Sequence, residues 1–191
     1  KVYRDRTVDF FNQHIEAAVQ LDCDHMVVST GFAYLDVDAE DAFGWCAEAM
    51  GRIARKAEQE GVTLAVEPFT KYTTHICNEA SQLRRLLRTV NSPRLTGLAD
   101  TDVIATTAVD TFSTFLDVIG PENLGHVHVV DGNPGGHLVP GDGVLDLDGA
   151  LEKLKAIHYT GALGLEVLDR RYVFAPEAAM KQAMDWYKER I

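Results

Sequence analysis

Long hydrophobic runs are missing from this sequence. No stretch of about 18 consecutive apolar residues occurs, whereas a membrane-spanning helix needs roughly 17–25 of them. We therefore expect no membrane partner. The composition is ordinary for a folded domain, with 46% hydrophobic and 25% charged residues. No proline- or serine-rich linker divides the chain, so we predict a single domain over residues 1–191.

Cysteine is also scarce. The three cysteines, Cys23, Cys46 and Cys77, are widely spaced and odd in number. This pattern is typical of reduced thiols in the cytoplasm and argues against a disulfide framework. None belongs to a CxxC pair, so a structural zinc site of cysteines is not expected. We predict that all three are packing residues and that the protein is cytoplasmic.

Positive charge is in deficit. The chain has 18 Lys and Arg residues against 29 Asp and Glu residues, which gives a net charge of -11. Proteins that bind a phosphate backbone usually carry basic patches. We therefore expect no nucleic-acid partner.

Two hydrophobic periodicities alternate along the chain. Helical spacing, with apolar residues three and four apart, predicts helices at 7–20, 38–60, 78–90, 109–119, 147–157 and from 176 onward. Short β-branched runs predict strands at 25–30, 62–67, 95–100, 126–130 and 161–168. Thr7, Asn78 and Asp148 are the predicted N-caps, and Gly61 is the predicted helix end. Alternating strands and helices indicate βα units and a parallel sheet.

Four of the predicted strands end in residues that can bind a metal, namely Glu67, Asp100, His128 and Glu166. In an α/β barrel the active site lies where strands end, so these side chains are expected to converge. Oxygen ligands with one imidazole suit one divalent ion, Mn²⁺, Co²⁺, Mg²⁺ or Zn²⁺. Each acid also has a structural alternative. Glu67 could instead pair with a basic side chain, Asp100 could cap the next helix, and Glu166 could neutralise Arg170 or Arg171.

Five ordered motifs cover nearly all of the chain from residue 60 onward. They are Leu64-Ala65-Val66-Glu67-Pro68, Leu98-Ala99-Asp100-Thr101, Gly125-His126-Val127-His128-Val129-Val130-Asp131, His137-Leu138-Val139-Pro140-Gly141-Asp142-Gly143, and Tyr159-Thr160-Gly161-Ala162-Leu163-Gly164-Leu165-Glu166. In its order and spacing this set resembles the xylose-isomerase-like TIM-barrel superfamily, and especially its ketose 3-epimerases and fructoselysine 3-epimerase-like group.

The resemblance implies an activity. Glu67, Asp100, His128 and Glu166 would hold one divalent metal, and Glu67 and Glu166 would be the acid/base pair of a sugar epimerase or isomerase. One glutamate would remove a proton to give an enediolate, and the other would return it on the opposite face. A related dehydratase or hydroxypyruvate-type isomerase, or a non-catalytic sugar-binding relative, are alternatives. Endonucleases of the superfamily use more metal ligands, and the acidic chain argues against that function.

The same resemblance implies substrate contacts. We expect His137, where related epimerases often have an arginine, and Asp131 to lie above the metal and bind a small sugar. Two other contacts of free-sugar epimerases are replaced here, by Thr73 and by Val103. A larger or decorated sugar is therefore easier to accept. Arg170, Arg171 and Tyr172 are the residues expected to contact it, and two arginines suit a phosphate or carboxylate.

The number of strands suggests a longer protein. A complete (β/α)8 barrel has eight strands and usually about 250 residues. In the superfamily the four metal residues lie on the last four strands, which makes residues 25–30 the fourth strand. We therefore expect this α/β chain to supply about the last five βα units of a TIM barrel, with the first three strands preceding residue 1. The sequence leaves a homo-oligomer open.

Overall fold

The computed structural model describes residues 2–34 and 36–190, which form alternating strands and helices. The strands are β1 (His25–Ser29), β2 (Thr63–Glu67), β3 (Leu95–Asp100), β4 (Leu124–His128) and β5 (Leu163–Gly164). The α-helices are α1 (Val2–Gln20), α2 (Ala39–Glu60), α3 (Ala80–Val90), α4 (Thr101–Thr107), α5 (Phe112–Ile119), α6 (Leu147–Ala156) and α7 (Pro176–Lys188). Short 3-10 turns occupy Pro121–Asn123 and Arg170–Tyr172.

All five strands are parallel, and their order in the sheet follows the chain, β1-β2-β3-β4-β5. Each crossover carries helical structure, as parallel neighbours require. The predicted α/β class and the five parallel strands are confirmed. This sheet is about half of a barrel wall, and three further βα units that would close it remain a prediction.

The two faces of the sheet have different compositions because successive side chains of a strand point in opposite directions. One face meets the helices through Leu64, Val66, Ala99 and Val127, each at most 1% exposed. The helices pack on one another on this side, α2 on α3, α3 on α5 and α5 on α6. Glu67, Asp100 and His128 occupy the alternate positions and therefore belong to the opposite face.

Several local predictions differ from the structure. α1 begins at Val2, so Thr7 is inside the helix, where its hydroxyl donates to the Tyr3 carbonyl at 3.0 Å. The N-cap of α3 is Glu79, in a capping box with Gln82. Asp146, which accepts from the Gly149 amide, is the N-cap of α6 in place of Asp148.

Two elements also have different lengths from those predicted. α4 was not predicted, because seven residues are too few to establish a helical period. β5 has only two residues, so Glu166 lies in the segment just after the strand. The helix end at Gly61 is confirmed, with a left-handed φ of 77°.

Cys46 and Cys77 are buried as expected, whereas the prediction is wrong for Cys23, which is exposed. Among the described residues, no helix combines the length and apolar character needed to cross a bilayer.

Candidate metal centre and its covering loop

Three of the predicted ligands end neighbouring strands. Glu67 closes β2, Asp100 closes β3 and His128 closes β4. Asp100 and His128 are direct partners in the parallel register, so their side chains leave the sheet at the same level. The fourth ligand, Glu166, follows β5 by two residues, and its side chain is 36% exposed. The other three are buried. One side of the site is therefore closed by the sheet and the other is accessible.

The four side chains converge. His128 Nδ1 lies 3.3 Å from Glu166 Oε2, 3.4 Å from Glu67 Oε1 and 3.4 Å from Asp100 Oδ2. One ligand atom from each residue can be chosen so that all four lie within 4.8 Å of one another. The four residues predicted from the strand ends therefore lie together, and their role as metal ligands stays a prediction.

The cluster fits a divalent cation on physical grounds. Within the described part of the chain, Asp100 Oδ2 and His128 Nδ1 are buried without a hydrogen-bond partner, which costs free energy unless another group compensates. Ligands around an ion with bond lengths of about 2.0–2.2 Å lie at most about 4.4 Å apart, close to the spread seen here. The carboxylate oxygens of Glu67, Asp100 and Glu166 and the imidazole nitrogen of His128 are suitable ligands for such an ion.

Asp100 has a second role that sequence analysis offered only as an alternative. Its Oδ1 accepts hydrogen bonds from the Asp102 and Val103 amides, both at 2.8 Å, and thereby caps α4. Its Oδ2 faces His128. The cap fixes the carboxylate plane, so capping and metal binding are compatible.

For Glu166 the close charged contacts are His128 and His137, whereas Arg171 pairs with Asp169 at 3.1 Å.

Burial and neighbouring charges shift the protonation of the cluster. Burial alone would lower the pKa of His128, but the carboxylates of Asp100, Glu166 and Glu67 outweigh it and raise this pKa to about 11. Burial raises the pKa of Glu67, and the charges of Glu166 and Asp100 add to that rise. His128 lowers the pKa of Glu166. The pKa values of the two candidate acid/base residues, Glu67 and Glu166, are therefore shifted in opposite directions.

The loop above the cluster is held by Asp131, which is 3% exposed. Its Oδ1 accepts from the Gly132 and Leu145 amides at 2.8 and 3.0 Å, and its Oδ2 from the Gly141 and Gly143 amides at 2.9 and 3.0 Å. Both oxygens are thus engaged with backbone. The structure gives Asp131 an anchoring role, and its predicted contact with a substrate stays a prediction.

His137 lies beside the cluster. Its Nε2 is 3.6 Å from Glu166 Oε2 and 3.7 Å from Asp100 Oδ2, while its Nδ1 is 2.9 Å from Asp102 Oδ2. Burial would lower the pKa of His137, but Asp102, Asp100 and Glu166 raise it above its usual range. Asp102 was not predicted from the sequence. The only signal was its place two residues after Asp100, where it would be read as a first-turn helix acid.

Arg170, Arg171 and Tyr172 form a 3-10 turn after β5. The Tyr172 hydroxyl donates to Asp142 at 2.6 Å and accepts from the Val139 amide at 3.1 Å, which joins this turn to the loop that contains His137. The Arg171 guanidinium pairs with Asp169. The structure therefore brings this turn to the same loop, and contact of its residues with a substrate remains a prediction.

Known proteins with the same architecture match this chain. A family model described as a xylose isomerase-like TIM barrel matches residues 1–190. Fructoselysine 3-epimerase of Shigella flexneri is 26% identical over 187 residues, which is 97% of this chain and 67% of that protein. The chain thus spans about two thirds of the length of this relative.

Solved structures agree on the fold. D-psicose 3-epimerase with D-tagatose from Clostridium cellulolyticum H10 superposes with a TM-score of 0.83 at 18% identity, over 98% of this chain and 71% of that one. The IOLI protein with a binding zinc atom gives a TM-score of 0.85 at 18% identity, over 97% of this chain and 69% of that one. At such identities the likeness establishes the fold alone.

Proposed function

The chain belongs to the xylose isomerase-like TIM-barrel family, and from that premise we propose that it is a divalent-metal-dependent epimerase or isomerase of a ketose or ketose derivative. The observation that carries the proposal is the convergence of Glu67, Asp100, His128 and Glu166 within 4.8 Å at the ends of neighbouring strands. The similarity to fructoselysine 3-epimerase supports the substrate class.

The four residues would hold one ion, of which Mn²⁺, Co²⁺, Mg²⁺ and Zn²⁺ all suit the ligands. The chemistry supplied by such an ion when bound is polarisation of a ketose carbonyl and its neighbouring hydroxyl, which acidifies the adjacent C–H bond. Asp100 and His128 are buried at the ends of adjacent strands, so they would hold the ion in a fixed position. Their rigidity reduces the reorganisation needed during the reaction.

Glu67 and Glu166 would move the proton. One carboxylate accepts the proton of the carbon beside the carbonyl, and the C–H electron pair becomes part of an enediolate. The other glutamate, which carries a proton at the start of the step, then delivers that proton to the opposite face of the same carbon, so the configuration is inverted and the two glutamates exchange protonation states. Glu67 comes from β2 and Glu166 from the segment after β5, and β3 and β4 lie between these two strands in the sheet, so the two carboxylates reach the cluster from different strands.

Substrate recognition would come from the partly open side of the site. His137 has its Nε2 beside Glu166 and is the first residue that we expect to contact a sugar oxygen. Arg170, Arg171 and Tyr172 would contact a larger or charged substituent. Asp131 would contribute by fixing the loop. The proposed partner is thus a small sugar, not nucleic acid or a membrane.

Solvent exchange tests the proposal. The metal-loaded protein is incubated in D2O with a panel of ketoses and fructosamine derivatives, and deuterium beside the carbonyl is followed by NMR and mass spectrometry. We expect exchange with inversion in at least one sugar. Glu67→Gln and Glu166→Gln should each reduce exchange by about 100-fold or more, the usual scale of a lost acid or base.

The outcomes separate the alternatives. Loss of water from the sugar instead of inversion would indicate a dehydratase, and interconversion of aldehyde and ketone an isomerase of the hydroxypyruvate type. A metal-loaded protein that binds sugars but exchanges no proton would refute catalysis and favour a sugar-binding relative.

A further inference from the structure

A second carboxylate–histidine pair lies beside the metal cluster, formed by Asp102 and His137. Asp102 is at the start of α4 and 1% exposed. Its carboxylate reaches the loop after β4, where it accepts from the Gly135 amide at 2.6 Å and the His137 amide at 3.1 Å. It also contacts His137 Nδ1 at 2.9 Å. One buried side chain thus holds both the backbone and the ring of His137.

The contacts with Asp102 fix where the ring points. With Nδ1 directed at Asp102, the opposite nitrogen, Nε2, lies 3.6 Å from Glu166 Oε2 and 3.7 Å from Asp100 Oδ2. His137 has a φ of 49°, a left-handed conformation that non-glycine residues adopt at a cost. Gly132 allows the close approach, because a Cβ there would lie 2.0 Å from Asp102 Oδ1. The loop is thus shaped around this carboxylate.

Anchoring of the loop does not by itself account for Asp102. Asp131 already holds the same loop through four backbone amides. Asp102 differs because it also contacts an imidazole that faces the cluster. His137 is also outside the group of four residues whose ligand atoms lie within 4.8 Å of one another. Its Nε2 is therefore placed next to the ion site, on the side of Glu166, and not within the ligand set.

We propose that Asp102 is a positioning residue, which orients His137 so that its Nε2 contacts a substrate oxygen beside Glu166. The proposal rests on the proposed function and deepens it, since it assigns a residue with no place in the metal cluster to the recognition of the sugar. Asp102 acts only through His137. Removing either residue therefore removes the same contact.

The orientation of the ring can be measured without any activity. Protein labelled with ¹⁵N-histidine is studied by NMR, and His137→Gln identifies the signals of His137. We expect a protonated Nδ1 whose hydrogen is protected from exchange with water. Asp102→Asn should abolish this protection, and Asp102→Glu, which keeps a carboxylate, should restore part of it. Asp142→Asn is the matched control, because Asp142 belongs to the same loop but bonds to Tyr172 and Gln182.

The consequence for the reaction is tested with a double-mutant cycle on the ketose that exchanges best. Asp102→Asn and His137→Gln should each lower kcat/KM by about tenfold to hundredfold, the usual scale for a lost orienting partner. The double variant should be no worse than His137→Gln. Affinity for Mn²⁺ should change less than about threefold in both single variants.

Several results would overturn the positioning role. These are an unchanged His137 signal in Asp102→Asn, losses of kcat/KM that multiply in the double variant, or Mn²⁺ affinity that falls in parallel with activity. If Asp102→Asn does not fold, His137→Gln still decides, because a variant as active as the wild type would refute the contact. Wild-type protein inactive on every ketose would refute the proposed function instead, and NMR would still test the orientation of the ring.

Discussion

Replacement of Asp131 by Asn distinguishes the anchoring role seen in the structure from the substrate contact suggested by the sequence. Asp131 is buried, and its two oxygens accept four backbone hydrogen bonds. Asparagine has nearly the same shape but only one acceptor oxygen. If the oxygen keeps the Gly132 and Leu145 bonds, the new NH2 group faces the Gly141 and Gly143 amides. Two acceptor contacts are then replaced by two contacts between donors.

The magnitude follows from the number of bonds lost. A hydrogen bond to a charged group contributes about 1.5–3 kcal/mol, so losing two predicts a decrease of about 3–6 kcal/mol in the free energy of unfolding. Domains are stable by about 5–15 kcal/mol, so the variant should fold with reduced stability. For a chain of this size each kcal/mol lowers the Tm by about 2–4 °C. We therefore expect a Tm lower by roughly 6–24 °C.

Urea unfolding followed by circular dichroism, with wild-type and variant protein at the same pH, measures this change. Asp148→Asn is the control. Asp148 pairs with Arg190 at 2.7 Å, but its side chain is 67% exposed, and such surface pairs contribute only about 0–1 kcal/mol. An Asp131→Asn protein as stable as the wild type, with a raised KM, would refute the anchoring role and support the substrate contact.

Three further predictions concern the cluster. Mn²⁺ at about 100 times its Kd should stabilise the protein by about 2.7 kcal/mol, and Asp100→Asn should weaken this effect. If none of the four candidate ions raised the Tm, the metal site would be excluded. Because the pKa of His128 is raised to about 11, metal binding at pH 7 should release about one proton. Calorimetry in buffers of different ionisation enthalpy measures this release, and a metal that binds without releasing a proton would contradict the prediction. Gly164→Ala should lower metal affinity by about tenfold or more, since the added Cβ would lie 2.9 Å from His128 Cδ2 and 3.0 Å from His126 Nε2. Gly44→Ala, where a Cβ meets nothing within 4 Å, is its control and should leave that affinity unchanged.

Local signals predicted the existence of elements better than their ends. The long helices were predictable because their apolar periods are long and regular, and the five strands because each contains a short β-branched or apolar run. The N-caps were less predictable, since neighbouring residues can compete for the role. Asp146 and Asp148 are both able to cap α6, and only the backbone geometry makes Asp146 the cap. α4 was missed because seven residues contain barely two turns.

The sequence by itself determined the four-residue cluster. Parallel strands bring their carboxyl ends to one edge, so Glu67, Asp100 and His128 could be placed together from the strand pattern alone. Glu166 followed from the same rule, although β5 is shorter than predicted. The ordered motifs also indicated the family, which the match over residues 1–190 establishes.

Only the tertiary structure decided what surrounds the cluster. Asp102 and His137 are 35 residues apart in sequence. No sequence periodicity predicts that the start of α4 contacts the loop after β4. Asp131 could likewise be assigned to the loop, but not to four particular amides. Hydrogen bonds between loops depend on how closely the two backbones approach each other. The packing of the whole sheet sets that approach. The sequence therefore specified the four residues of the cluster, and the fold specified how the histidine beside them is held.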